Sequence, residues 1–236
     1  MKFTNQNIVI IGGSTGIGFA TAKLAKAQGA NITLFGRSVE KLNQAAAALG
    51  GARVVAGNIG VEADIKRAFE GLESVSHVVV TAGTLIAGNV LQISDENIQR
   101  AIDERIWGNL YVVRNAVPRM SQGSITLISG MLADRPKPGT ALTTVGCIAA
   151  EALTRSLAVE AAPIRFNAVS PGWTDTPLLA GVLGANKDAV VTQVTSGIPA
   201  KRAGTAEELA EAILFLMAND YMTGEVLHVD GGARLV

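Results

Sequence analysis

Residues 8–23 read IVIIGGSTGIGFATAK, an apolar run followed at once by a glycine-rich turn and the start of a helical pattern. Gly12, Gly16 and Gly18 give the spacing G-x-x-x-G-x-G between the predicted strand and helix. Glycine permits positive φ, close approach of the backbone to a phosphate and tight packing of helix on strand. Since the free N–H groups of a helix start attract anions, the stretch predicts a dinucleotide-binding turn, although many such turns need glycine for geometry alone.

The same alternation of strand and helix runs through the rest of the chain. Short runs of Val, Ile, Leu and Ala predict strands at 8–11, 32–35, 53–56, 77–80, 125–128, 165–169 and 226–229. These runs are nearly continuous in apolar residues, as expected when helices cover both faces of a parallel sheet. Helical spacing predicts helices at 15–28, 39–49, 62–72, 95–120, 143–161 and 206–217. The pattern indicates one α/β domain over residues 1–236, a Rossmann-type three-layer doubly wound sheet of about seven parallel strands.

Composition and charge exclude several classes of protein. The 236 residues include 20 Lys+Arg and 20 Asp+Glu, and no cluster of Lys and Arg forms the basic stripe that nucleic-acid binding needs. The single cysteine, Cys147, has no partner for an internal disulfide, and no Cys/His cluster has metal-ligand spacing. The first apolar run is too short for a signal peptide or a membrane span. We therefore expect a cytoplasmic protein that binds neither metal, nucleic acid nor membrane.

Polar residues follow the second and third predicted strands, at the sheet edge where ligands bind. Arg37 and Ser38 stand where an acidic residue would bind the ribose 2′-hydroxyl of NAD. A guanidinium and a hydroxyl suit a 2′-phosphate, so we predict NADP(H) in preference to NAD(H). The alternative is that Arg37 is a solvated cap of the next helix. Asn58 either contacts the adenine edge or forms an Asx turn.

Five segments give the chain a resemblance to a known family. They are GGSTGIG at 12–18, TAG at 81–83, EALTRSLAVE at 151–160, IRFNAVSPGWTDTP at 164–177 and TGEVLHVDGG at 223–232. In that order they resemble the landmarks of the short-chain dehydrogenase/reductase (SDR) family, over nearly the whole chain. The resemblance implies an NAD(P) cofactor across the strand ends, and a homodimer or homotetramer built on the helices predicted at 95–120 and 143–161.

The resemblance also implies which residues bind the cofactor. Pro171, Gly172 and Thr176 would hold the nicotinamide half, and Ala82 and Gly83 would lie near the adenosine ribose. Together with the residues discussed above, the predicted cofactor site comprises Gly12, Ser14, Thr15, Gly16, Ile17, Gly18, Arg37, Ser38, Asn58, Ile59, Ala82, Gly83, Pro171, Gly172 and Thr176.

The family's catalytic Ser, Tyr, Lys and Asn are replaced in an alignment on EALTRSLAVE. Their positions hold Gly130 for serine, Thr143 for tyrosine, Cys147 for lysine and Arg105 for asparagine, with Ser129 adjacent and Asn109 one turn late. A tyrosine of pKa about 10 donates a proton poorly until a neighbouring ammonium lowers that pKa, and a threonine hydroxyl does not titrate in this range. The catalytic residues stay unidentified. We expect almost no carbonyl reduction by the mechanism that is usual in the family.

Three cations are predicted near this pocket. Arg105 lies on the helix that lines it, and Arg135 and Lys137 follow the fifth strand. One interpretation is a clamp for a carboxylate, a phosphate or an enolate-like oxyanion. The other is surface charge for Arg135 and Lys137, and for Arg105 a salt bridge with Asp103, Glu104 or an acidic residue of a dimer partner.

Three further groups have the chemistry to react or to transfer protons. Cys147 is either a small core residue or, with a pKa lowered by Arg105, a nucleophile. His77 and His228 fall in the fourth and seventh strands, where satisfied core or edge histidines are the more common finding.

Residues 173–205 are predicted to form a substrate lid, because glycines interrupt a segment with weak periodicity. Leu178, Leu179, Val182 and Leu183 would make the pocket favour an apolar or amphipathic small-molecule ligand. Two functions remain. The first is an NADP(H)-dependent oxidoreductase acting on a small carbonyl or alcohol by atypical chemistry, in which Arg105, Ser129 or water replaces the usual proton donor. The second is a catalytically inactive nucleotide-binding homologue that serves as a sensor or as an oligomer partner.

Overall fold

The strands form one large parallel sheet. A computed structural model describes residues 1–236. Its strands are β1 (Asn7–Ile11), β2 (Asn31–Gly36), β3 (Arg53–Ala56), β4 (His77–Val80), β5 (Ser124–Ile128), β6 (Arg165–Pro171), β7 (Thr174–Asp175), β8 (Gly204–Thr205) and β9 (Val226–Val229). Seven strands are ordered β3-β2-β1-β4-β5-β6-β9, and β7 and β8 pair separately. The predicted doubly wound α/β sheet of about seven parallel strands in a single domain is confirmed.

Helices connect the strands and cover the sheet. They are α1 (Gly16–Ala27), α2 (Val39–Ala48), α3 (Glu62–Phe69), α4 (Asp95–Ile102), α5 (Gly108–Ala116), α6 (Ala141–Glu160), α7 (Pro177–Leu183), α8 (Lys187–Ser196) and α9 (Ala206–Ala218). The strand order reverses between β1 and β4, which opens a crevice at the carboxyl ends of these strands.

Two apolar layers hold the helices on the sheet, one on each face. Side chains alternate along β1, so Val9 and Ile11 join the layer with α3, α5 and α6. Ile8 and Ile10 point the other way and pack with α1, α2 and α9. Helices cover both faces of each central strand of the sheet. The sequence of such a strand is therefore a continuous apolar run and does not alternate with polar residues.

The helix predicted at 95–120 is interrupted, and this is a correction. A wide π-type turn at Asp103–Trp107 separates α4 from α5, and a short 3-10 turn at Val117–Arg119 ends the segment. Pro118 explains the end, because it has no N–H to continue the helical ladder. Asn109 Nδ2 donates to the carbonyl oxygen of Arg105 at 2.7 Å, so a side chain satisfies a carbonyl in the wide turn.

The segment 173–205 contains two helices that the sequence did not predict, α7 and α8. Thr176 caps α7 by accepting from the Leu179 N–H at 3.4 Å, and Pro177 takes the first helical position. The pairing of β7 with β8 joins the two ends of the segment. A strand pair therefore anchors the segment at its base, and its role as a lid stays a prediction.

One helix, α6, is long and apolar enough to cross a membrane by length and composition alone. In this fold Ala150 and Leu157 of α6 belong to the apolar layer over the sheet. On its other face Val145, Ile148 and Val159 are exposed. Apolar side chains thus lie on both faces of α6, and only one face is covered within the chain.

Candidate functional site

A cavity of about 420 Å³ lies at the carboxyl ends of the strands. That volume is in the range of small-molecule and cofactor sites. All the residues predicted to bind the cofactor line it except Ser38. It also contains Gly130, Thr143, Cys147 and Arg105, which the alignment places at the positions of the family's catalytic residues. A single cavity therefore joins the predicted cofactor site to the predicted reaction site.

The turn from β1 to α1 is built so that only glycine fits at its key positions. Gly12 and Gly16 have φ of +96° and +54°. A Cβ on Gly12 would lie 2.7 Å from the backbone nitrogen of Ala82, and one on Gly18 would overlap the carbonyl oxygen of Gly12. No acidic residue occupies the first turn of α1, whose amides have no earlier helical partner. This turn fits the pyrophosphate of a dinucleotide.

Arg37 and Ser38, at the end of β2, have different roles. Ser38 accepts from the Lys41 N–H at 3.3 Å and so caps α2. Arg37 is exposed, lines the cavity and makes no hydrogen bond or ion pair with the protein. Ser38, and not Arg37, is therefore the helix cap. Of the two residues, Arg37 is the one whose side chain is available to an anionic ligand.

Asn58 forms the Asx turn that was one of its two interpretations. Its Oδ1 accepts from the Gly60 N–H at 3.0 Å, and its own N–H donates to Asp64 at 2.8 Å. That backbone hydrogen bond is the main reason that the pKa of the Asp64 carboxyl is lowered. The Asn58 amide nitrogen has no protein partner, and Asn58 lines the cavity beside Ile59. The turn therefore leaves the NH₂ group of this cavity-lining side chain free of protein partners.

Thr143 and Cys147 are both buried in the wall formed by α6. The Thr143 hydroxyl donates to the carbonyl oxygen of Ile86 at 3.0 Å. Burial raises the pKa of the Cys147 thiol, and the nearby Arg105 only partly opposes this. The interpretation of Cys147 as a nucleophile with a lowered pKa is therefore wrong. A Cβ on Gly130 would lie 3.2 Å from Cys147 Sγ, so the two positions are tightly coupled.

Ser129 is directed away from the role of proton donor. Its hydroxyl donates to Glu151 Oε1 at 2.7 Å, and the same carboxylate lies 3.8 Å from Arg155. A hydroxyl whose proton faces a carboxylate presents lone pairs, not a proton, to other groups. The sequence analysis missed Glu151. The signal was its spacing of four and eight residues from Cys147 and Thr143, which places all three on one face of a helix.

Arg105 projects from the wide turn and is only 8% exposed. Its Nη2 donates to the carbonyl oxygens of Gly83 and Thr84 at 3.3 and 3.4 Å, and its Nε has no partner. Burial lowers the pKa of Arg105, but a guanidinium starts from so high a value that it keeps its charge at neutral pH.

Neither acidic neighbour in the chain forms a salt bridge with Arg105. Glu104 accepts instead from the Thr84 N–H at 2.7 Å and from Arg100 Nε at 2.9 Å. Burial would raise the pKa of the Glu104 carboxyl, but these donors outweigh it and lower that pKa. Asp103 accepts from Gln99 at 2.8 Å. The predicted pairing of Arg105 with Asp103 or Glu104 is therefore wrong.

The other predicted charges lie at the edge of the cavity or outside it. Lys137 is exposed and lines the cavity, whereas Arg135 does not line it. His77 contacts Ser124 and Gln6, and burial, helped by the charge of Arg165, lowers its pKa to about 4. His228 contacts Asp134 at 3.0 Å. Both histidines are satisfied away from the cavity, as predicted.

The wall opposite α6 is apolar. Leu178, Leu179, Val182 and Leu183 line the cavity as predicted. Leu85, Met131, Leu132 and Trp173 add to the apolar lining of the cavity and were not predicted, since each lies in a loop or short turn without periodicity. No group of three His, Cys, Asp or Glu side chains is placed to hold a metal ion.

Comparisons with known proteins match nearly the whole chain. A family model described as Enoyl-(Acyl carrier protein) reductase matches residues 12–234. The 3-oxoacyl-[acyl-carrier-protein] reductase FabG of Chlamydia muridarum is 34% identical over 247 residues, which cover 97% of this chain and 97% of that protein.

Solved structures agree with this. The MalC reductase/Diels-Alderase from Malbranchea aurantiaca has a TM-score of 0.93 and 30% identity, with 100% of this chain and 98% of that chain covered. A small-chain dehydrogenase in complex with NADPH has a TM-score of 0.85 and 33% identity, with 98% and 100% covered. The similarity extends over both the cofactor turn and the α6 wall.

Proposed function

The chain belongs to the short-chain dehydrogenase/reductase family of oxidoreductases, and on that premise we propose that it uses NADP(H) to interconvert a small carbonyl and alcohol. The observation that carries the proposal is the single cavity that joins the glycine turn at β1 to an apolar chamber beneath 173–205. When bound, the nicotinamide supplies or accepts the hydride. The residues that would hold the cofactor are the predicted cofactor-binding residues, apart from Ser38.

A preference for NADP(H) over NAD(H) rests on Arg37. Its guanidinium is exposed at the end of β2, lines the cavity and has no protein partner to compete with a phosphate. A guanidinium matches the oxygens of a phosphate with two parallel hydrogen bonds. A 2′-phosphate near β2 would therefore gain from Arg37, whereas a bare ribose hydroxyl would leave its charge uncompensated.

The chemistry proposed is atypical, because no side chain in the chamber is a tuned acid. Thr143 already donates to Ile86, and Ser129 donates to Glu151. Arg105 keeps its proton at neutral pH. Of the three candidate proton donors, water is therefore the one that the contacts favour, and the α6 wall orients the substrate instead of protonating it.

A second candidate is a nucleotide-binding homologue without turnover, acting as a sensor or oligomer partner. The observation that favours it is the engagement of both Thr143 and Cys147 with buried neighbours. We propose in either case a cytoplasmic homodimer or homotetramer. Val145 and Ile148 of α6 and Trp107 of the wide turn are exposed and apolar, which suits burial against a second copy.

Fluorescence titration with NADPH and NADH tests the cofactor proposal. We expect NADPH to bind more tightly, and Arg37→Ala to remove the difference with a loss of roughly 10-fold or more, as for other charge-assisted hydrogen bonds. Arg135→Ala is the matched control, because Arg135 is exposed and does not line the cavity. Equal affinity for the two cofactors in the wild type would reject the role of Arg37.

Transfer of deuterium from 4-deuterated NADPH to a panel of carbonyl compounds separates the two candidate functions. We expect label in an alcohol product, detected by mass spectrometry. Binding of NADPH without transfer to any member of a panel that includes oxo acids would favour the nucleotide-binding homologue.

A further inference from the structure

Arg105 lies in a slot that two glycines leave open. A Cβ on Gly83 would lie 2.6 Å from Arg105 Nε and 2.8 Å from its Cζ. A Cβ on Gly146, in α6, would lie 3.0 Å from both Cβ and Cγ of Arg105. Any larger residue at either position would force the arginine side chain to move. The position of this guanidinium is thus built into the surrounding backbone.

No carboxylate of this chain forms a salt bridge with the guanidinium in this slot. Nη2 has only two carbonyl oxygens, at 3.3 and 3.4 Å, and Nε is sealed from solvent without any partner. Nη1 has no protein partner either and is not sealed, so it remains accessible from the cavity that Arg105 lines. A buried cation without a counter-ion is costly, and an anionic ligand would remove that cost.

The chamber around the slot selects the rest of the ligand. Its walls are Leu85, Met131, Leu132, Trp173 and the leucines of α7. The other cation, Lys137, is exposed and so is already solvated. Among anions, a carboxylate can accept a charge-assisted hydrogen bond from the accessible Nη1, and an attached hydrocarbon chain matches the walls. A fully hydrated phosphate would gain nothing from these walls.

We propose that Arg105 is the receptor for a carboxylate on the substrate, so that the substrate class is an amphipathic oxo acid or hydroxy acid. This rests on the proposed function, because the carboxylate would enter the same chamber as the reacting carbonyl. Arg105 then determines specificity: it admits an acid where a neutral ketone of the same length would leave the buried guanidinium unpaired.

Binding of octanoate and octanamide to the NADPH-loaded protein tests the receptor. The two probes share their chain length and differ in charge, so the ratio of their dissociation constants reports the anion site alone. We expect the wild type to bind octanoate at least about 10-fold more tightly. Arg105→Gln should weaken octanoate by roughly 10- to 100-fold and leave octanamide unchanged, while Arg105→Lys should retain part of the preference.

Two further variants guard against misfolding and surface-charge effects. Gly146→Ala keeps the arginine but presses on its Cβ and Cγ by a few tenths of an ångström, so it should weaken the octanoate preference in a folded protein. Lys137→Gln removes a solvated cation and should change octanoate affinity by no more than about 3-fold. Thermal unfolding of each variant shows that the fold is retained.

Three results would overturn the proposal. Wild-type protein that binds octanoate no better than octanamide has no carboxylate receptor, and neither does Arg105→Gln protein that keeps the preference. An Arg105→Gln variant that loses NADPH affinity as strongly as octanoate affinity would assign the guanidinium to the cofactor. Wild-type protein that fails to bind NADPH rejects the proposed function instead, and octanoate binding without cofactor would still test the receptor.

Discussion

The two halves of the cavity are built from different materials. At the β1–α1 turn the binding surface is backbone, exposed because Gly12 and Gly18 have no side chain to cover it. At the α6 wall the surface is side chain, and two of its hydroxyls already donate to protein acceptors, Thr143 to the carbonyl oxygen of Ile86 and Ser129 to Glu151. Backbone N–H groups remain hydrogen-bond donors whichever side chains lie nearby. The acidity and hydrogen bonding of a side chain, in contrast, depend on the partner that it contacts.

The largest expected effect comes from rebuilding the side-chain half. The triple variant Gly130→Ser, Thr143→Tyr, Cys147→Lys should stay nearly inactive on a neutral ketone, because the new ammonium would meet the guanidinium of Arg105. Adding Arg105→Asn removes that repulsion and should raise NADPH-dependent reduction by about 10²- to 10⁴-fold over the triple variant, the usual contribution of a general acid.

Steady-state rates of ketone reduction by the triple and quadruple variants, each measured at saturating NADPH, check this prediction. The single variant Gly130→Ser is a useful control, since its Cβ would stand 3.2 Å from Cys147 Sγ and its stability shows whether this contact alone costs anything. A triple variant as active as the quadruple one would show that the guanidinium does not reach the ammonium. Inactivity of both would contradict the alignment of these four positions.

The backbone half should be intolerant of a single methyl group. Gly18→Ala places a Cβ on the Gly12 carbonyl oxygen, and we expect a cost of about 1–3 kcal/mol, seen as lower stability or as roughly 10- to 100-fold weaker NADPH binding. Gly181→Ala is the matched control, because nothing lies within 4 Å of its Cβ. Urea denaturation and NADPH titration measure both quantities, and equal behaviour of the two variants would contradict the close approach.

His77 lies at the amino end of β4, away from the cavity. Its titration should therefore change the free energy of unfolding and not ligand binding. Burial lowers the pKa of His77 to about 4, so below pH 6.5 the unfolded chain takes up a proton that the folded protein refuses. The free energy of unfolding should therefore decrease as the pH is lowered, by about 2 kcal/mol from this group between pH 7 and pH 5. Urea denaturation at the two pH values tests this against His77→Gln, which should lose that component. An unchanged pH dependence would show that His77 titrates normally when folded.

The smallest effect is expected at Cys147, where chemistry should be almost absent. Burial raises the pKa of the thiol, so little thiolate forms near neutral pH and alkylation by iodoacetamide should be slow in the folded protein. Labelling in urea provides the positive control, because the unfolded thiol has its ordinary pKa. Fast labelling of the native protein at pH 7 would return Cys147 to the list of reactive groups.

The features that local sequence decides and those that it does not follow the same division. The seven strands of the main sheet, the apolar layers and the glycine turn were predictable, since they depend on local pattern and on the absence of a side chain. Four features were not: the wide turn at Asp103–Trp107, the helices α7 and α8, the strand pair β7–β8, and the role of Glu151. The apolar spacing of a helix does not show where an extra residue widens one turn into a π-type turn. The partner of a carboxylate such as Glu151 depends on strands and helices that are distant in the chain.

By itself, therefore, the sequence determined the doubly wound sheet, the family and the place of the dinucleotide turn, because periodicity and glycine spacing are local properties of the chain. Only the tertiary structure decided the fate of the charged and polar groups. It showed that Ser38 is a helix cap, that Glu104 pairs with Arg100, and that Arg105 is left without a counter-ion in a slot between two glycines. The charge and hydrogen bonding of a buried group are set by the atoms that surround it, and those atoms come from every part of the fold.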